Sequence, residues 1–173
     1  DSDERKRTNS LLEAFYGEII TKKHKSLINE LLELESTSEI EIGPGKTVPY
    51  RSSMFYLLDE PSPDRRKEIE RKIESFVSDE LNPVLEESFL QEEKSINELG
   101  FANKVEMCTR LSGIDLHSTD RMMQEFVNET DEIYAKYLGI LSEKELGIPV
   151  EELNRHDLLR IMRASKFDSL FPE

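Results

Sequence analysis

Side chains able to do chemistry are few and scattered in this chain. His24, His117 and His156 are its only histidines. No two are spaced i, i+4, and the His-Glu-x-x-His pattern that places two zinc ligands on one helical face is absent. His117 and Asp120 fall at an expected helix start, where they could meet as metal ligands or serve as ordinary surface residues near a cap. Glu125, Glu129 and Glu132 share one helical face, followed by Lys136. A di-metal carboxylate bundle needs a Glu-x-x-His pair as well, and none occurs. Glu86, Glu87, Glu92 and Glu93 read as solvated positions that support helices. Gly43-Pro44-Gly45-Lys46-Thr47 lacks the spacing of a phosphate loop, and Pro44 removes an N–H donor. No Gly-x-Ser-x-Gly elbow gives any serine the setting of a nucleophile.

Two basic features remain as candidate contacts. Arg51 follows Pro49-Tyr50 where a loop meets a helix. It can grip a substrate carboxylate with both guanidinium arms, or tie the loop to an acidic neighbour. Arg155, His156, Arg160 and Arg163, with Asp157 among them, form the one basic cluster in an acidic chain. His156, Arg160 and Arg163 lie on one helical face at i, i+4 and i+7. The cluster either meets a substrate or another protein segment, or is a solvated face with Asp157 pairing Arg160.

The elements that must position these residues are helical. Leu, Ile, Val and Phe make 48 of the 173 residues, enough for a packed core. Charged residues reach 35%, with only seven Gly and seven Pro, which favours helices with solvated faces over a β-rich fold. A net charge of −14 opposes nucleic-acid phosphates and anionic membrane surfaces as partners. Cys108 stands alone, so no intrachain disulfide forms, which fits a reducing, cytoplasmic compartment. No apolar run approaches a membrane span.

Steps of three, four and seven from Leu11 to Leu34 predict a helix over Asn9–Thr37, about 43 Å long at 1.5 Å per residue. Ser38 to Arg51 is irregular, a short hairpin arm or a loop: Ile40 and Ile42 alternate with Glu39 and Glu41, and Gly43-Pro44-Gly45 forces a turn. Ser52 or Ser53 is expected to cap a short helix at Met54–Leu58. Pro61-Ser62-Pro63-Asp64 starts another helix, with Ile69, Ile73, Phe76 and Val77 as its stripe. Pro83 implies a new start or a kink after Asn82. Gly100 and Gly113 are expected to close the helices before them, and Ser118-Thr119-Asp120 to open a long one with apolar residues from Met122 to Leu141. Asn154 is expected to cap the last helix, Arg155 to Ala164. The expected fold is all-α, an extended bundle or array of about seven helices with a hairpin or irregular segment near 38–51, forming a single domain over 1–173.

Two stretches resemble one family. The first is Val48-Pro49-Tyr50-Arg51-Ser52-Ser53, then Leu57-Leu58-Asp59-Glu60 and Asp64-Arg65-Arg66. The second is Phe126-Val127-Asn128-Glu129-Thr130-Asp131-Glu132-Ile133-Tyr134, then Asn154-Arg155-His156-Asp157-Leu158 and Phe167-Asp168-Ser169-Leu170-Phe171-Pro172. In this order they resemble the helical region upstream of the zinc motif in bacterial gluzincin-like metallopeptidase homologues, which are distantly similar to oligoendopeptidase F and carboxypeptidase Taq. In that family a His-Glu-x-x-His helix and a downstream Glu hold zinc and activate water. The sequence ends before that motif, so the resemblance transfers no catalytic, cofactor-binding or metal-binding residue; zinc is expected only in the rest of a parent protein. It implies a non-catalytic helical portion that walls one side of a substrate cleft. The start at Asp1 and the end just past Phe171-Pro172 fit a piece of a larger protein. The expected partner is the rest of the parent chain or a separate protein. A free-standing acidic interaction module is the other reading, and apolar surface left uncovered would favour a homodimer.

Overall fold

The computed structural model describes residues 2–162. Among them lie seven α-helices and one two-stranded antiparallel ribbon: α1 (Ser2–Thr37), β1 (Glu39–Gly43), β2 (Lys46–Pro49), α2 (Tyr50–Asp59), α3 (Pro63–Phe76), α4 (Asn82–Glu98), α5 (Lys104–Ser112), α6 (Leu116–Leu146) and α7 (Arg155–Met162). The fold is all-α apart from that ribbon. The chain forms two compact units. Unit one combines α1 as far as Leu32 with Leu81–Asn128, and unit two combines Glu33–Glu80 with residues 129–162.

Unit one is built on a cluster of Ile20, Ile96, Phe101, Met107 and Leu111, with Tyr16 and Leu99 against it. Only part of the long apolar stripe of α1 is used. Tyr16, Ile20 and His24, four residues apart, face inward, while Leu11 and Phe15 are 62% and 61% exposed. The Tyr16 and Phe101 rings meet edge to face at 5.5 Å, and the Arg110 guanidinium lies 5.0 Å from the centre of the Phe101 ring. Helix α5 starts at Lys104 because its cap lies immediately before it. Asn103 accepts the Glu106 N–H at 2.9 Å, and Glu106 reaches back to the Ala102 N–H at 2.6 Å. Gly113, at φ 72°, ends this helix where a side chain would be strained. Asp115, not Ser118, opens α6, since its carboxylate accepts the N–H groups of His117 and Ser118. A carboxylate one residue ahead of the helix outcompetes the hydroxyl further along.

In unit two the segment expected as a hairpin arm or a loop is a hairpin, β1 paired antiparallel with β2. Pro44 and Gly45 (φ 68°) fill the turn, as a type II geometry requires. Ile40, Ile42 and Val48 point one way and join Leu57, Ile69 and Ile73 in the core, while Glu39 and Glu41 stay exposed. Tyr50, Met54, Phe76, Val77 and Leu159 pack against this cluster. Neither Ser52 nor Ser53 caps α2, which already begins at Tyr50. Their hydroxyls donate to the carbonyls of Pro49 and Tyr50, because both serines lie within the first turn. Pro83 lies in the first turn of α4, the new start it implied, but the chain before it stays helical rather than breaking. A π-helical stretch, Val77–Leu81, joins α3 to α4. The wider turn re-spaces the carbonyls just where the proline ring and its missing N–H would disrupt α-helical bonding.

The corner between α2 and α3 is held by Glu60. Its carboxylate accepts the Ser62 N–H at 3.0 Å and the Arg65 Nε–H at 3.0 Å. The Ser62 N–H, then Arg65 and Arg66, hold its pKa below the usual carboxylate value of 4.5. A depressed folded-state pKa means the contribution is complete above the ordinary value and is lost as pH falls through the folded one. Replacing Glu60 by Gln is therefore expected to cost about 1 kcal/mol at neutral pH and to flatten the acid limb of stability below about pH 4.5. Urea unfolding of both proteins between neutral and acid pH measures this, and parallel acid limbs would contradict it.

Candidate functional site

Four charged or titratable side chains are buried together in unit two. Arg66 and Glu70 come from α3, and His156 and Asp157 from α7. On α3 the residues Arg66, Ile69, Glu70 and Ile73 are spaced i, i+3, i+4 and i+7, so the two charged groups share the apolar stripe and are carried into the core with it. Arg66 is completely buried. Its Nη2 donates to Asp157 Oδ1 at 2.6 Å, and its Nη1 donates to the carbonyls of Glu60 and Pro61 at 3.0 and 2.9 Å. Those carbonyls follow the C-terminal end of α2, where a cation is favoured. The other oxygen of Asp157 accepts the Asn154 N–H at 3.2 Å. Thus the carboxylate at position 157 reaches back to the start of α7, while the Asn154 side chain donates to the Glu152 carbonyl. Asn154 stands at the expected cap position, where its carbonyl accepts the Asp157 and Leu158 N–H groups, while its side chain turns back to Glu152.

His156 completes the group. Its Nδ1–H donates to Glu70 Oε2 at 2.5 Å, and its Nε2 lies 3.5 Å from Asp157 Oδ2. The four charges sum to zero with the imidazole protonated and to −1 with it neutral. A carboxylate-oriented imidazole is the arrangement of a general base or a metal ligand. Here, however, both ring nitrogens face carboxylates and the residue is 4% exposed, so no substrate atom has room beside it. Arg66 in the same cluster also repels a cation. Among the described residues no group of three or more His, Cys, Asp or Glu side chains is arranged to hold a metal ion.

The sequence candidates are distributed as follows. Arg51 pairs with Glu35 at 3.2 Å on the surface, the tying role rather than a free guanidinium. Arg160 is half-buried and donates to the Leu58 carbonyl at 2.6 Å, so it too serves the end of α2. His156 is buried, Arg155 is exposed, and Arg163 lies outside the described residues. The structure does not gather Arg155, His156 and Arg160 into one outward basic face. Asp157 pairs with Arg66, not Arg160. Asp120 accepts a hydrogen bond from Gln124 at 2.9 Å, not from His117. Glu125, Glu129, Glu132 and Lys136 are exposed on α6. The sequence reading passed over Arg66 and Glu70. Their signal was present, since both sit at core spacing beside Ile69 and Ile73.

Unit one has its own groove, about 640 Å³, lined by Lys23, Glu87, Leu90, Gln91, Lys94, Ser95 and Glu98. At its wall His24 Nε2 and Ser95 Oγ share a hydrogen bond of 3.1 Å. Among the described residues no carboxylate orients His24, and Ser95 is 5% exposed, so the pair ties α1 to α4 rather than forming an activated nucleophile. Lys23 is already engaged by Glu98.

A long exposed apolar feature belongs to α6. Every residue from Asp120 to Tyr137 is exposed except Thr130, which is half-buried. Met122, Met123, Phe126, Val127, Ile133, Tyr134 and Tyr137 are each more than half exposed. The expected apolar side of this helix exists, but it faces solvent. No helix among the described residues is long and apolar enough to cross a membrane. No protein-family model, no curated protein and no solved structure matches the chain.

The buried group makes a specific energetic demand. Asp157→Ala is expected to destabilise unit two by about 3–5 kcal/mol, because it leaves the Arg66 charge buried without its counterion. Combining Arg66→Met with Asp157→Leu is expected to recover most of that loss, as apolar replacements also remove the desolvation cost. Denaturant unfolding of the single and double variants checks this; additive losses would show that the pair is not coupled.

Proposed function

We propose that this chain is a non-catalytic helical portion of a zinc-metallopeptidase-like protein, forming part of a substrate cleft wall in the cytoplasm. The observation that carries the reading is the solvated apolar face of α6. Most helical stability in proteins comes from packing of an amphipathic face, and β-branched and aromatic residues such as Ile133, Tyr134 and Tyr137 do not raise intrinsic propensity. The apolar stripe therefore calls for cover from further polypeptide. The residues that carry the family resemblance also support a scaffolding role. Asp59-Glu60 and Asp64-Arg65-Arg66 of the first stretch meet Asn154–Leu158 of the second through the Arg66–Asp157 pair. Their shared work is to fix helix ends, which a cleft wall needs and chemistry does not.

A free-standing acidic interaction module is the second reading, because the same apolar face suits a separate protein partner. The two part at the gene. Sequencing past the codon for Glu173 is expected to reveal a His-Glu-x-x-His helix with a downstream Glu. The full product is then expected to hold zinc and cleave peptides, while this chain alone does not. A reading frame that continues without that motif would overturn the first reading, and a stop codon at once would favour the second.

A further inference from the structure

Resting on the reading that α6 packs against further protein, we propose that its face in unit two docks an amphipathic helix whose apolar stripe is flanked by lysine or arginine. At 3.6 residues per turn, Ile133, Tyr134, Tyr137, Ile140 and Leu141 fall within about 120° of the helix circumference, one continuous stripe. All five are between 40% and 61% exposed. The opposite side is the one turned toward the protein. Gly139 is half-buried there, and Ser142 is buried and donates to the Ile148 carbonyl at 2.6 Å. The stripe thus points away from unit two's own packing.

The borders of the stripe define the occupant. Glu129, Glu132 and Glu143, with Lys136 among them, line one edge, and Asp131 and Glu145 the other, all exposed, so both edges are net acidic. Lys144, the other basic residue between Glu129 and Leu146, falls on the line of the stripe near its C-terminal end. A second copy of this helix laid on the first would set acidic edges against acidic edges, which costs free energy and disfavours a homodimer here. A basic-edged helix meets the same stripe with opposite charge on both sides. The recognition mode is a helix laid along an apolar face, with anchors at i, i+4 and i+7.

The test uses the whole chain and three fluorescent synthetic peptides of about 18 residues. One is a Leu/Lys peptide with every leucine on one helical face, the second has the same composition in scrambled order, and the third is the Leu/Glu counterpart of the first. Fluorescence anisotropy is expected to show the amphipathic Leu/Lys peptide binding roughly tenfold or more tightly than either other peptide. The scrambled peptide measures the general attraction of an acidic protein. Ile133→Ser with Tyr137→Ser, both at exposed positions, is expected to abolish the preference over the scrambled peptide. Glu129→Lys with Glu132→Lys and Glu143→Lys is expected to move the preference toward the Leu/Glu peptide. Equal binding of the amphipathic and scrambled peptides would overturn the proposal. So would full affinity in the serine variant, or sedimentation showing a dimer that the serine variant dissolves. The gene sequence decides the metallopeptidase reading independently, so failure of one leaves the other standing.

Discussion

Arg66 has no exposed surface, and the arrangement of unit two follows from the need to satisfy it. A guanidinium loses several kcal/mol of hydration on burial, so it persists only where fixed acceptors replace the water. Two of those acceptors are the Glu60 and Pro61 carbonyls, and the third is Asp157. The first two set the course of the chain between α2 and α3. The third sets where α7 lies, and Asp157 in turn holds the start of α7 through the Asn154 N–H. His156 and Glu70 add a second polar tie between the same two helices. Arg66 Nε and Glu70 Oε1 lack partners, so the group contributes position more than net stability. An apolar core would hold the helices together as well, but it would not dictate which carbonyls they approach.

Features governed by neighbouring residues were legible in the sequence. The turn at Gly43–Gly45, the helix start at Pro61–Asp64 and the glycine stop at Gly113 each depend on a few adjacent positions. The helix starts at Lys104 and Leu116 are set by the caps Asn103 and Asp115, and apolar spacing does not show which polar residue will accept the first free N–H groups. The π-helical passage before Pro83 was illegible for a related reason. A proline announces that normal bonding must fail, but not whether the helix breaks or widens. The role of His156 depended on Glu70, 86 residues away, which no local pattern reveals. Periodicity found the apolar side of α6 correctly, yet periodicity reports only that a face is apolar. Whether the cover lies within the chain is a separate fact.

The two findings divide the molecule's surfaces into different roles. Charged groups that read as candidate contacts, Arg51, His156 and Arg160, are occupied with internal partners. The apolar residues of α6, ordinarily expected inside, are the ones open to solvent. This inversion is what a helical wall or scaffold would show when considered apart from the polypeptide it supports, and it underlies the proposed role as one side of a cleft.

The most direct measurement is amide hydrogen exchange on the full chain in solution. If α6 lacks cover, the amides from Asp120 to Tyr137 should open locally and exchange much faster than those of α3, whose Ile69, Glu70 and Ile73 are buried. Protection of α6 equal to that of α3 would contradict the account, because the apolar face would then already be covered by the chain itself or by a second copy.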